Sequence, residues 1–87
     1  MKQYFFVEMT DTFGGEPNYG WVHRFKVRAA SPMGAIRKVS HETGMVGRMR
    51  KGADFGDIVE HRVAGAAIVF FTMQWHDNNP YENAKLL

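Results

Sequence analysis

GWVHRFKVRAASPMGAIRKVSHETGMVGRMRK, residues Gly20 to Lys51, changes its hydrophobic period halfway along, and that change decides the fold. From Trp21 to Ala29 the pattern alternates. Trp21, His23, Phe25, Val27 and Ala29 share one face, and Val22, Arg24, Lys26 and Arg28 share the other, the period-2 signature of a strand with one buried side. Ser31-Pro32 then opens a helix, because serine caps an N-terminus and proline at the first helical position loses no hydrogen bond. Met33, Ile36 and Val39 recur at helical spacing, and Gly44 suits the left-handed residue that ends a helix, so the helix spans Pro32 to Thr43. Trp21, Phe25, Val27, Ile36 and Val39 are the expected core.

Working outward, Gln3 to Met9 (QYFFVEM) is rich in aromatic and β-branched residues and reads as a strand. Phe5, Val7 and Met9 fall on one face, Tyr4, Phe6 and Glu8 on the other. Thr10 to Tyr19 (TDTFGGEPNY) holds turn formers but exceeds the usual hairpin length, so either the strands extend into it or the loop has work of its own. Met45 to Gly56 has no clear period and reads as a loop. Asp57 to Val63 alternates as a third strand, and Ala66 to Trp75 reads as a fourth, central one. Beyond it the chain is polar, and Asn79-Pro80 disfavours regular structure.

The expectation is an α+β fold of order ββαββ: a four-stranded, mainly antiparallel sheet with one helix packed on one face. Residues 1–76 form a single domain and residues 77–87 a polar tail. One helix covers one side of the sheet. Tyr4, Phe6 and half of the last strand then face the other way, which predicts a homo-oligomer, a dimer, through the open face, or a partner docked there.

The chain of 87 residues lacks cysteine, which removes disulfides, thiolate catalysis and cysteine-based zinc sites. Its longest apolar run, Val63 to Phe71, is about half of the roughly 20 residues needed to cross a bilayer, so a soluble, untargeted protein with no membrane partner is expected. Net charge is +2, but residues 21–51 hold eight Lys and Arg residues against one acid, Glu42. Acids outnumber bases on both sides of that segment. Such asymmetry steers anions to one region.

Enzyme signatures fail on context. Asp54-Phe55-Gly56 spells a kinase tripeptide without any other kinase element, and Gly47 to Gly52 has P-loop spacing but places Ala53 where lysine is required. Gly44 to Gly47 matches the GXXG clamp of KH domains in the wrong topology. His23, His41, His61 and His76 lack zinc-ligand spacing. No catalytic residue, metal or cofactor is therefore assigned.

The basic set carries the functional expectation. Arg24, Lys26 and Arg28 share a face with Tyr4 and Phe6 if the first two strands pair, and phosphates beside stacking rings are how open sheets bind nucleic acid. Arg37, Lys38, Arg48, Arg50 and Lys51 extend the patch. The ligand expected is nucleic acid or a signalling nucleotide.

Taken together, YFFVEMTDTFGGE, Trp21, RFKVRA and GAIRKV resemble a group of small bacteriophage and prophage proteins of unassigned function, over most of residues 3–75. The resemblance implies expression in the cytoplasm of an infected bacterium and a role in binding something of the host. Hence a second expectation: a counter-defence inhibitor that docks on a host nuclease or defence sensor, through the apolar sheet face or the Phe13–Tyr19 loop.

Overall fold

The computed structural model describes residues 2–77 and 83–87. In chain order it contains β1 (Gln3–Phe13), β2 (Glu16–Ala29), α1 (Pro32–Thr43), β3 (Met49–Asp54), β4 (Val59–Val63), β5 (Ile68–Gln74) and β6 (Lys85–Leu86). The strands form one sheet in the order β3-β4-β5-β1-β2-β6. β6 runs parallel to β2 and all other neighbours are antiparallel, so the sheet is mixed. The α+β class holds, but the four-stranded, mainly antiparallel sheet does not: each edge carries a further strand. Asn79-Pro80 lies outside the described residues.

Both added strands lack the pattern that marks a strand. β3 is MRKGAD, exposed from Arg50 to Asp54 with only Met49 partly buried, so no face repeats. Backbone pairing to β4 holds it, with a bulge between Lys51 and Asp54. Charge along an exposed edge deters pairing with other chains. β6 is two residues long; beyond it Leu87 donates its N–H to the Lys26 carbonyl at 2.8 Å and accepts from Arg28 N–H at 3.2 Å.

Between the first two strands, extension into the loop is the outcome. β1 and β2 run to a Gly14-Gly15 turn whose φ values of 62° and 85° suit glycine and the twist of a tight hairpin. Residues 18–21 bulge out of β2, since Thr10 pairs with Val22 but Thr12 with Pro17. Asp11 holds the bulge by accepting from Gly20 N–H and Asn18 Nδ2, both at 2.8 Å. Tyr19 sits there at φ 55°, a left-handed conformation uncommon outside glycine.

α1 forms as its ends dictate: Ser31 Oγ accepts from Gly34 N–H at 3.1 Å, and Gly44 is left-handed. Ala35, Ile36 and Val39 are fully buried against Phe5, Val7, Phe25, Val27 and Phe70. Twelve residues of helix reach about 18 Å, whereas fourteen of strand reach about 46 Å. The helix therefore covers only the last part of β2. Trp21, expected in the core, is 37% exposed, its ring 5.4 Å from that of His23 and tilted to it by 47°, in a cleft that also takes in Met9 and Met45.

On the other face Phe6 is 4% exposed and Val69 is fully buried within the single chain. The bulge in β1 and β2 bends the hairpin, bulges being where strands bend, and Arg62 of β4 reaches the Gly15 carbonyl. Trp75 packs 6.2 Å from Phe6. Exposed aromatic residues on this side include Tyr4, Tyr19 and Phe55, and Phe13 is exposed at the hairpin tip.

Candidate anion-binding site between α1 and β3

Sorting the cations by what already holds them separates two regions. On β2, Arg24 pairs with Glu8, its direct cross-strand neighbour, at 3.3 Å. Lys26 lies 4.7 Å above the rings of both Tyr4 and Trp75, where the quadrupoles of the rings attract its charge. Phe6 is buried beneath and offers no ring for stacking; Tyr4 is 39% exposed. Arg28 is exposed at the end of β2. The sheet platform of Arg24, Lys26, Tyr4 and Phe6 is thus largely occupied by its own members.

The helix and the chain that follows it differ. Arg37 and His41 stand four residues apart on α1, a spacing that stacks side chains on one flank. That flank turns away from the buried stripe of Ala35, Ile36 and Val39, so both side chains are exposed to solvent. Ser40, 4% exposed, donates its hydroxyl to the Met45 carbonyl at 2.7 Å and folds the chain back along the helix. Gly47 then crosses β4 so closely that a Cβ there would stand 2.6 Å from Val63 Cγ1. The Arg48 carbonyl accepts from Ala64 N–H at 2.8 Å, which fixes the entry to β3.

The result is a cavity of about 370 Å³ lined by Arg37, His41 and Arg48 together with Met33, Ser40 and Gly47. No carboxylate lines it among the described residues. Neither Arg37 nor Arg48 has an acidic partner among those residues, whereas Lys51 pairs with Asp54 at 3.1 Å and Arg62 with Glu60 at 2.8 Å. Lys38 donates to the Arg28 carbonyl on the other flank of the helix. Arg50 is exposed on the neighbouring edge strand.

Chemically, two guanidiniums and an imidazole converging on one volume supply fork-shaped donors that match phosphate or carboxylate oxygens. His41 was not among the residues singled out from the sequence; its spacing of four from Arg37 is the signal that points to it. Among the described residues no three His, Asp or Glu side chains gather as metal ligands, and no helix is long and apolar enough to cross a membrane. Comparison with protein-family models, curated proteins and solved structures found no match to this chain.

Proposed function

We propose that the protein is a non-enzymatic binding protein for a phosphate-bearing ligand, nucleic acid or a signalling nucleotide, held by Arg37, His41 and Arg48. The observation that supports this reading is the acid-free cavity shared by these three side chains. Of the other basic residues, Lys38 is engaged by the Arg28 carbonyl on the opposite flank of the helix and Lys51 by Asp54, and Arg50 shares the second face with Arg62, so the cavity rests on these three side chains alone. The bacteriophage resemblance sets this binding in the cytoplasm of an infected bacterium.

Fluorescence polarisation with a labelled single-stranded oligonucleotide and a labelled nucleotide tests it. Arg37→Glu and Arg48→Glu each weaken binding about tenfold or more, as loss of a charge-assisted hydrogen bond requires. Lys2→Glu, the same charge change at an exposed terminal site, leaves it within about twofold. Undiminished binding by both arginine variants would refute the assignment.

A second reading is favoured by Phe13 at the hairpin tip and by Tyr19 and Phe55 on the second face, exposed by 80%, 54% and 66%. Aromatic anchors of this kind carry much of the energy of protein interfaces. They fit docking on a host protein, such as a nuclease or defence sensor, or on a second copy of this chain. Retention of one bacterial protein from nuclease-treated lysate, lost in Phe13→Ser and Phe55→Ser, distinguishes this from ligand binding.

A further inference from the structure

Two cavities flank the first turn of α1. Met33 lines the cationic one, and Pro32, its neighbour in sequence, lines another of about 750 Å³. Their chemistry is opposite. The second cavity draws its polar groups from Gln3, Asp57, Thr72, Gln74 and His76, and no lysine or arginine lines it among the described residues. Phe5 and Val59 supply apolar wall.

Thr72 is the informative member. It is 2% exposed, yet its hydroxyl has no hydrogen-bond partner among the described residues. A buried hydroxyl left unsatisfied is costly, and a turn of the Thr72 rotamer toward the cavity that the residue lines gives it a partner on a ligand there. Beside it Gln74 Nε2 donates to Gln3 Oε1 at 3.1 Å. That bond leaves further donor capacity on Gln3 and the carbonyl of Gln74, so the cavity offers amide donors, an amide acceptor, a hydroxyl and a carboxylate. Such a mixed set recognises the donor and acceptor edge of a heterocyclic base, while the apolar wall takes its ring.

We infer that the ligand is a mononucleotide, with its phosphate on Arg37, His41 and Arg48 and its base in the Pro32–Thr72 cavity. The phosphate half rests on the reading above. Pro32 and Met33 are adjacent in sequence and line one cavity each, so the two cavities meet at the first turn of α1 and one ligand with a phosphate at one end and a base at the other can enter both. The separation of charge fits as well: among the described residues no lysine or arginine lines the base cavity and no acid lines the phosphate cavity.

Calorimetric titration of the full chain with the four ribonucleoside 5′-monophosphates, ribose 5-phosphate and a single-stranded oligonucleotide tests the inference. At least one nucleotide is expected to bind about tenfold or more tighter than ribose 5-phosphate. Thr72→Val, of nearly the same shape, weakens that nucleotide about fivefold and leaves ribose 5-phosphate unchanged, while Arg37→Glu weakens both. A melting temperature for Thr72→Val no lower than the parent's shows that its fold is intact; Gln74→Ala is the second probe of the same cavity. Equal affinity for ribose 5-phosphate and every nucleotide overturns the base site and spares the phosphate site. Binding of the oligonucleotide alone does the same. Nucleotide binding indifferent to both Arg37→Glu and Arg48→Glu overturns the phosphate site itself.

Discussion

The Arg62 guanidinium donates to the backbone carbonyl of Gly15 at 2.6 Å, joining β4 to a turn 47 residues earlier in the chain. The same group holds Glu60 at 2.8 and 3.1 Å, and Glu60 accepts from Ala53 N–H at 2.9 Å. One side chain thus connects the β3–β4 pair to the tip of the first hairpin. Glu60 depends on it, because its side chain is only 10% exposed and a buried charge must be compensated.

Arg62→Ala is therefore expected to cost about 1–3 kcal/mol, the range for a charged hydrogen-bond partner removed from a buried group. Urea denaturation measures it. Amide exchange should also rise at the Gly14-Gly15 turn, since its tether is gone. Stability within about 0.5 kcal/mol of the parent, the usual scatter of surface changes, would mean that the bridge contributes little.

The helix start gives a local test. Ser31 Oγ satisfies Gly34 N–H, an N–H that the helix itself leaves unpaired, so Ser31→Ala is expected to lose about 1 kcal/mol. Ser31→Asp restores the acceptor and should recover most of it. Equal stability of all three proteins by denaturant titration would show the cap to be dispensable.

What was legible in the sequence follows from which forces leave a pattern. α1 was readable to the residue because Ser31-Pro32 and Gly44 mark its ends chemically. β2 was readable because one side of its last part is buried, and β5 because a central strand buried on both sides from Ile68 to Phe70 reads as an unbroken apolar run. β3 was not: an edge strand exposed along Arg50 to Asp54 needs only backbone partners, and backbone pairing leaves no side-chain period. Site residues divide in the same way. The basic residues were visible by charge, but ranking Arg37 and Arg48 above Arg24 required the register that sets Glu8 opposite Arg24. Trp21 was misassigned to the core because alternation shows which side faces the helix, not how far the helix reaches.

Asp11 is expected to control the shape of the Asn18–Gly20 bulge. The hydrogen bond from Asn18, and after it those from backbone N–H groups such as Gly20's, hold its carboxyl below the usual carboxylate range despite some desolvation. Asp11→Ala removes both 2.8 Å bonds and with them the constraint that keeps Tyr19 left-handed. The Gly20 amide should then exchange with solvent much faster, and Tyr19 ring resonances should shift. Retained protection at Gly20 would assign the bulge to backbone pairing alone.

His61 sets the response to mild acid. It is 6% exposed, its Nδ1 has no partner among the described residues, and Lys51 lies directly across on β3. Burial first, and the Lys51 charge second, lower its pKa below the ordinary 6.5. Near pH 6 the folded protein consequently binds fewer protons at this position than the unfolded chain does, so stability rises with pH there. The contribution is complete above about pH 6.5 and is lost as pH falls through the lowered value. Glu60, Asp11 and Asp54 are also lowered, so their contributions fade only in a more acidic range, which keeps the two windows apart. Melting temperatures at about pH 7.5 and 5.5 should fall for the parent and fall less for His61→Gln, which carries no titrating ring. Since His23, His41 and His76 remain in both proteins, the difference isolates His61; identical falls would place the acid sensitivity elsewhere.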